Sequence, residues 1–122
     1  MYKFWGKVRT HNKRGKKLGF PTANVNLFKD IPDGIYISKT KIGSVAYSSL
    51  TFIGEAKTFN EKKFHAETYI LDFKKNIYNQ WITVILLKKI RENIKFKSTQ
   101  DLIKQMKKDE QDARKYFNKL TP

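Results

Sequence analysis

The 122-residue sequence has no cysteine, which excludes disulfide bonds, thiolate nucleophiles and cysteine-ligated zinc and fits a reducing compartment. It also lacks a long hydrophobic run, because its most apolar stretch, residues 81–87, is far too short to span a bilayer. The N-terminus lacks the apolar stretch of a secretory signal. We therefore expect a cytoplasmic protein with no membrane partner.

Acidic residues are scarce relative to basic ones. The chain has 11 Asp and Glu against 26 Lys and Arg, which gives a formal net charge of +15. Such a charge attracts polyanions and accelerates the binding of anionic ligands, whether nucleotides or nucleic acid. Lysine is spread through every segment rather than gathered in one block, which is typical of a solvated surface.

No internal repeat and no linker rich in Ser, Gly or Pro divides the chain, so we expect one domain over residues 1–122. Alternating apolar residues predict six strands, at residues 2–8, 23–27, 34–39, 44–52, 64–73 and 81–89. Turn signals separate them at residues 11–12, 32–34, 41–43, 60–63 and 78–80. This spacing leaves no room for crossover helices, so the sequence predicts an antiparallel sheet that is closed or nearly closed into a small barrel over about residues 1–97.

The C-terminal segment has a different pattern. Ser98, followed three residues later by Asp101, is a candidate helix N-cap. Apolar residues then recur at roughly helical spacing, at Leu102, Ile103, Met106, Ala113, Phe117 and Leu120. We expect one helix over about residues 98–120, packed against the barrel with a lysine-rich face in water.

A glycine-flanked loop precedes the second predicted strand. Gly15 and Gly19 allow positive φ angles and a close backbone approach to a ligand, and Pro21 fixes its own φ. Thr22 and Asn24 lie two residues apart at the start of the strand, so their side chains point to the same side. Such oxygen donors suit a magnesium–phosphate cluster. The alternative is that both residues only form local hydrogen bonds.

The loop is not a Walker P-loop. The chain contains no Gly-x-x-x-x-Gly-Lys-Ser/Thr sequence, so a phosphate cradle here is of another design. Within the loop, Lys16 is the candidate charge partner for a phosphate.

Glu67 lies in the middle of the predicted strand 64–73, where an isolated carboxylate is costly unless it has a partner or a role. Period-two alternation places His65, Glu67, Tyr69 and Leu71 on one face of this strand. That face is polar at one end and apolar at the other, which suits the mouth of a pocket. Glu67 is therefore a candidate catalytic base, and the alternative is a surface residue paired with a nearby lysine.

Short motifs follow one another along nearly the whole chain. They are Gly6-Lys7-Val8, Leu18-Gly19-Phe20-Pro21-Thr22-Ala23-Asn24, Pro32-Asp33-Gly34-Ile35-Tyr36, Phe52-Ile53-Gly54 with Thr58-Phe59, Glu67-Thr68-Tyr69 running to Asp72-Phe73, Ile77-Tyr78-Asn79, and Arg91-Glu92 with Lys95-Phe96. This series resembles the signature of the riboflavin kinases, or flavokinases.

The resemblance implies a mainly β fold, a six-stranded antiparallel Greek-key barrel with a C-terminal helix. It also implies an enzyme that phosphorylates riboflavin to flavin mononucleotide (FMN) with ATP and Mg²⁺. By position, the resemblance implies that Thr22 and Asn24 bind magnesium and nucleotide phosphate, and that Glu67 is the base that orients the terminal ribityl hydroxyl.

The same resemblance assigns the remaining candidate binding residues. It places Gly15, Lys16, Gly19 and Pro21 with the nucleotide, and Arg91 and Phe96 in a flavin slot between the last strand and the terminal helix. We expect a monomeric kinase module without the adenylyltransferase domain of bifunctional flavin enzymes.

Four positions depart from the family pattern: Phe52, Lys57, Tyr69 and Asn79. Phe52 and Lys57 are expected in a loop leading toward the nucleotide, so they bear on its binding. Asn79 replaces a turn glycine, and asparagine tolerates the left-handed conformation.

Two other readings stay open. One is a basic barrel that binds single-stranded nucleic acid, although the aromatic residues fall mostly at core positions and no strand pair evidently combines lysine with aromatics. The other is a flavin-binding protein without catalysis.

Overall fold

A computed structural model describes residues 1–9, 22–27, 29–58 and 61–120, with the backbone alone described at 55–58, 61–64 and 120. Its elements are the strands β1 (Tyr2–Lys7), β2 (Ala23–Leu27), β3 (Gly34–Ile42), β4 (Val45–Thr58), β5 (Glu61–Ile70) and β6 (Trp81–Arg91), and the helix α1 (Thr99–Leu120). The six predicted strands and the C-terminal helix are confirmed.

The strands form one antiparallel sheet in the order β1-β6-β3-β4-β5-β2. Strands β3, β4 and β5 are consecutive, and β6 returns to pair with β3, which is a Greek-key arrangement. The sheet closes where the backbone N–H of Arg9, just past β1, donates to the carbonyl of Asn24 in β2 at 2.7 Å. The predicted barrel is confirmed.

The β4–β5 hairpin is longer than predicted. The predicted turn at 60–63 is wrong for Glu61, Lys62 and Lys63, which belong to β5 and pair with Thr58, Lys57 and Ala56 of β4. Polar residues there resemble a turn in sequence, but the antiparallel ladder continues because each strand supplies hydrogen-bond partners to the other. Phe52 and Lys57 therefore lie within a strand, and their placement in a loop is wrong.

Two other boundaries also differ from the prediction. Strand β3 continues to Ile42 and turns at Gly43, whose φ is 61°. Strand β5 ends at Ile70 instead of residue 73, and the chain turns through Asp72 at a φ of 59°. At Asn79 the φ is 66°, so the left-handed conformation anticipated for this residue is confirmed.

The interior of the barrel is apolar at its centre. Alternating residues of every strand point inward, among them Phe4, Val25, Ile53 and Val84. Gly6 lies where β1 and β2 approach, and a Cβ atom there would overlap Val25.

A chain of buried hydroxyl groups crosses this interior. It runs from Thr40 through Ser49, Ser38 and Thr51 to Thr68, with successive oxygen–oxygen distances of 2.7–3.0 Å. All five residues are buried, and each hydroxyl is satisfied within the chain. The network therefore ties β3, β4 and β5 together without a buried unpaired polar group.

Helix α1 packs against the outside of the barrel. Ser98 Oγ accepts a hydrogen bond from the N–H of Asp101 at 3.1 Å, which confirms the predicted N-cap. The buried Ala113 meets a cluster on the outer side of the sheet, formed by Ile35, Ile37, Leu50 and Leu71. The predicted lysine-rich outer face of the helix is exposed, at Lys104, Lys107, Lys108 and Lys115. Among the described helical residues, no stretch has the length and hydrophobicity needed to cross a membrane.

One expectation about aromatic residues is wrong. Trp5 of β1 and Trp81 of β6 face outward, with 63% and 64% of their surfaces exposed. Lys7 is the direct cross-strand partner of Trp81, so one strand pair does combine lysine with aromatics.

Candidate active site

Glu67 occupies an outward position of β5. Its neighbours Ala66 and Thr68 point into the barrel and are buried, whereas His65, Glu67 and Tyr69 are half-buried on the other face. The predicted alternation along this strand is confirmed. Toward Leu71 the same face passes under helix α1, so it is polar at one end and apolar at the other.

The register of β2 against β5 makes Asn24 the direct partner of Glu67. Directly opposed residues of an antiparallel pair project to the same face, with Cβ atoms about 5 Å apart. Two candidate site residues that are distant in sequence therefore meet on the outside of the barrel. Thr22 lies two residues before Asn24, at the start of β2.

Asn24 is buried although it faces away from the core. Only 3% of its surface is exposed, and its Nδ2 donates a long hydrogen bond of 3.4 Å to the carbonyl of Thr22. Its Oδ1 has no hydrogen-bond partner among the described residues. A buried acceptor without a donor is destabilising, so this oxygen is suited to a ligand such as a cation.

The donor set at this place fits magnesium. Thr22 and Asn24 offer a hydroxyl and an amide oxygen, and Mg²⁺ accepts few protein ligands when phosphate oxygens and water complete its shell. Among the side chains that the structure describes, no three of His, Cys, Asp or Glu cluster as metal ligands. A cation held by Thr22 and Asn24 would take neutral oxygens from these residues and the rest of its shell from phosphate and water.

Glu67 remains accessible to a substrate. Its side chain is 30% exposed, and its Oε1 lies 3.7 Å from Nε2 of His65. On the side away from Asn24, its cross-strand partner is Phe52 of β4, whose ring lies 6.4 Å from that of His65. The carboxylate therefore has an amide on one flank and an aromatic ring on the other.

A cavity of about 340 Å³ opens beside this edge of the barrel. Thr22 and the neighbours of Asn24 and Glu67, Ala23 and Thr68, contribute to its wall. Other lining residues come from the end of β1 and from the segment between β5 and β6: Val8, Ile70, Phe73, Lys74, Lys75, Asn76, Ile77 and Tyr78. Lys74 and Lys75 are exposed cations, which sequence analysis did not single out.

Four of the proposed nucleotide contacts cannot be placed. Gly15, Lys16, Gly19 and Pro21 lie outside the described residues. Thr22 and Asn24 are therefore the part of this motif that the structure describes.

Arg91 is bound to helix α1. Its Nε and Nη2 donate to the carboxylate of Asp109 at 2.9 and 2.7 Å, and Nε2 of Gln105 donates to the same carboxylate at 3.0 Å. Both partners of the ion pair are largely buried. The ring of Phe96 lies 6.0 Å from the Arg91 guanidinium, within range of a cation–π contact.

Asp109 was not among the site residues predicted from the sequence. A signal was present, because Asp109 continues the inward stripe of the helix between Met106 and Ala113. A carboxylate on such a stripe requires a buried cationic partner.

The segment after β6 lies beside the Glu67 face. Nδ2 of Asn93 donates to the carbonyl of Ile53 at 3.3 Å. Ile53 follows Phe52, the cross-strand partner of Glu67. The segment that contains Phe96 is thus anchored next to Glu67 by Asn93 and to the helix by Arg91.

Tyr69 also connects the sheet to the helix. Its hydroxyl donates to Oε1 of Glu110 at 2.9 Å. Burial, reinforced by this hydrogen bond, raises the pKa of Tyr69 to about 12. The neutral hydroxyl is therefore the form that fixes α1 over β5.

Fold and site together define a class of protein. A closed antiparallel barrel presents a carboxylate beside an amide oxygen that has no partner among the described residues. A cavity with lysines lies at the end of the same two strands, and phosphoryl transfer uses groups of these kinds. The chain belongs to the riboflavin kinase family, since that family's model, Flavokinase, matches residues 1–117.

Individual relatives agree with this assignment. The chain is 36% identical over 120 residues to the bifunctional riboflavin kinase/FMN adenylyltransferase of Haemophilus influenzae, covering 96% of this chain and 39% of that protein. It is similar to the crystal structure of riboflavin kinase from Trypanosoma brucei, with a TM-score of 0.66, 25% identity, and coverage of 96% and 80% of the two chains.

A closer structural match is a Streptococcus pneumoniae chain solved as a macrolide-efflux protein. Its TM-score is 0.86 at 34% identity, with 92% of this chain and 38% of that chain covered. The chain therefore spans less than two fifths of this structure and of the Haemophilus relative.

Proposed function

We propose that this chain transfers the γ-phosphoryl group of ATP to the terminal ribityl hydroxyl of riboflavin, giving FMN and ADP. The observation that carries the proposal is the direct pairing of Glu67 with Asn24, which sets a carboxylate beside a buried oxygen without a partner among the described residues. Membership of the riboflavin kinase family supports the choice of substrate.

In the proposed reaction, Glu67 holds the ribityl hydroxyl and accepts its proton. The hydroxyl oxygen forms a bond to the γ-phosphorus while the bond from that phosphorus to the bridging oxygen of ADP breaks, and ADP leaves with the electron pair. A positioned general base typically contributes about 10²–10⁴-fold to such a rate. The exposed edge of the Glu67 carboxylate leaves space for the hydroxyl.

Thr22 and Asn24 would hold a magnesium ion with the phosphates. Bound there, the ion supplies charge neutralisation on the transferring phosphoryl group. Asn24 is fixed in the β2–β5 ladder and Thr22 lies at its end, so the two oxygens are held by the sheet rather than by a side-chain network.

We assign the nucleotide to the cavity that Thr22 borders. Lys74 and Lys75 offer positive charge to the phosphates there. Gly15, Lys16, Gly19 and Pro21 stay proposed contacts to the same nucleotide.

We assign the flavin to the segment that follows β6, next to Phe52 and Glu67. Phe96 would supply apolar contact to the ring system. The guanidinium of Arg91 is engaged by Asp109, so its contribution to flavin binding is to position this segment.

The proposal is tested by incubating the protein with riboflavin, ATP and Mg²⁺ and separating the flavins by chromatography. We expect FMN from the unaltered chain and at least a 100-fold slower reaction from Glu67→Gln. Glu110→Gln is the matched control, because it makes the same chemical change and retains an acceptor for Tyr69. Riboflavin fluorescence quenching without any FMN would contradict the kinase and favour a flavin carrier.

A further inference from the structure

The outer side of β1 and β6 carries a second surface with its own chemistry. We call it the indole face and define it by the outward side chains of β1, the start of β6 and the end of β3: Lys3, Trp5, Lys7, Trp81, Thr83 and Lys41. Their neighbours Phe4, Gly6, Ile82 and Val84 are buried, which fixes this outward orientation.

The two indoles are close together. Trp5 pairs with Thr83, and Trp81 pairs with Lys7, so Trp5 and Trp81 are diagonal neighbours on adjacent strands, about 7–8 Å apart. They are the two tryptophans of the chain, and both are more than 60% exposed.

Trp5 is held in place on one side. The ammonium of Lys29 lies 5.8 Å from the centre of the Trp5 ring and donates to the carbonyl of Lys3 at 2.8 Å. A cation over the ring steadies the indole. The exposure of Trp5 shows that much of the ring remains accessible to a planar partner.

The charge around the indoles is of one sign. Residues 2–7, 39–42 and 81–87, which form the face, include four lysines and no Asp or Glu. Such a surface complements a partner that alternates planar groups with negative charges. The apolar interior of a membrane is a poorer fit, because Lys7 pairs with Trp81 and Lys41 pairs with Thr83, so charged side chains lie next to the indoles.

We infer that the indole face binds single-stranded nucleic acid, with bases stacked on Trp5 and Trp81 and phosphates near Lys3, Lys7 and Lys41. Stacking on aromatic side chains combined with a positive track is the usual basis of such binding. The face lies on the β1–β6 pair, whereas Asn24 and Glu67 lie on the β2–β5 pair, so the two activities use different surfaces.

Tryptophan emission tests this inference directly, because both indoles lie in the face. We expect a dT₁₂ oligonucleotide to quench the emission, and the affinity to fall roughly 20-fold between about 50 and about 200 mM salt if three phosphates are contacted. Trp5→Ala and Trp81→Ala should each weaken binding by about five-fold or more, and Trp→Phe at either position should restore much of it.

Charge variants separate a specific face from general attraction. Lys7→Gln should weaken binding and flatten its salt dependence, whereas Lys108→Gln, an equal charge change on the exposed side of α1, should have less effect. Thermal unfolding of each variant checks that the fold is retained.

Several outcomes would overturn the inference. One is that the oligonucleotide does not quench tryptophan emission, or binds equally well to Trp5→Ala, Trp81→Ala and the unaltered chain. Another is that Lys7→Gln and Lys108→Gln weaken binding equally. A third is that phosphatidylserine vesicles shift the emission to the blue while the oligonucleotide does not change it. Self-association that Trp5→Ala abolishes would assign the face to a second copy of the chain instead. None of these results depends on whether FMN is made.

Discussion

At the residue scale, the side chain of Asn24 shows a conflict between stability and function. Its buried Oδ1 has no partner among the described residues, which is a cost to the folded state unless a ligand uses it. Residues retained at such a cost are concentrated at functional sites. This reasoning predicts opposite effects on stability and activity when the amide is removed.

We predict that Asn24→Leu leaves the stability of the fold unchanged or raises it, with a gain of up to about 1–3 kcal/mol in the free energy of unfolding. The midpoint of thermal unfolding should then stay the same or rise. The same change should slow FMN formation by at least about 100-fold, because the proposed oxygen donor to magnesium is lost. Calorimetry and the turnover assay measure the two effects. A variant that is both destabilised and fully active would contradict this role for Asn24.

Tyr69 gives the protein a defined response to alkali. Its pKa is raised to about 12 in the folded state from an ordinary value near 10, so its neutral form is favoured by folding. That contribution is complete below about pH 10 and is lost as the pH rises through about 12.

We therefore predict that Tyr69→Phe is less sensitive to pH than the unaltered chain between about pH 10 and 12. Urea unfolding at several pH values measures this difference, and Tyr2→Phe, a change at an exposed tyrosine, is the control. Equal pH dependence in the unaltered chain and in Tyr69→Phe would show that Tyr69 does not carry the effect.

At the scale of elements, the buried hydroxyl chain joins three strands inside the barrel. Thr51 of β4 links the two neighbouring strands, since its Oγ1 bonds to both Ser38 of β3 and Thr68 of β5. Replacing Thr51 by Val retains the branched shape but leaves the Thr68 hydroxyl without this partner.

We predict that Thr51→Val lowers the free energy of unfolding by about 1–3 kcal/mol. Thr83→Val, the same substitution on the outer side of β6, should change it by much less, because that hydroxyl is partly exposed. Denaturant unfolding measures the free energy of unfolding of the two variants, and equal values would mean that the hydroxyl chain contributes little to stability.

The Arg91–Asp109 pair is the contact that fixes the segment after β6 against helix α1. Breaking a largely buried ion pair on one side leaves the other charge without its partner. We predict that Asp109→Asn lowers the free energy of unfolding by about 2–4 kcal/mol. It should also raise the KM for riboflavin more than it lowers kcat, because the segment that we propose binds the flavin is loosened.

Asp112→Asn, the same substitution three residues further along the helix, is the control for this experiment. Steady-state kinetics and denaturant unfolding are measured for both variants. An unchanged KM for riboflavin in Asp109→Asn would separate the flavin site from this segment.

At the scale of the whole molecule, local patterns were sufficient for the fold but not for its boundaries. Alternation predicted the strands, because side chains of a pleated strand point to opposite faces in turn. Short turn spacing predicted antiparallel pairing and a barrel, because the connections leave no room for crossover helices. The extension of β4 and β5 was missed, since residues such as Lys57 and Lys62 pair across the ladder without a local apolar pattern that would predict a strand.

The candidate site, like the strand boundaries, was only partly predictable from local sequence patterns. Sequence motifs nominated Thr22, Asn24 and Glu67, but the pairing of Asn24 with Glu67 is set by the long-range register of β2 and β5, which no local pattern specifies. The exposure of Trp5 and Trp81 was missed because tryptophan in an alternating strand normally indicates core. Whether an outward residue is covered depends on where helix α1 packs, and the helix covers a different part of the outer side of the sheet.

The central claim is that Asn24 and Glu67 act on one phosphoryl transfer, and a double-mutant cycle tests it most directly. Values of kcat/KM for riboflavin would be measured for the unaltered chain, Asn24→Leu, Glu67→Gln and the double variant. We predict that each single change lowers kcat/KM by about 100-fold or more and that the double variant loses far less than the product of the two factors. Fully multiplicative losses, or a single variant within about two-fold of the unaltered chain, would contradict the account.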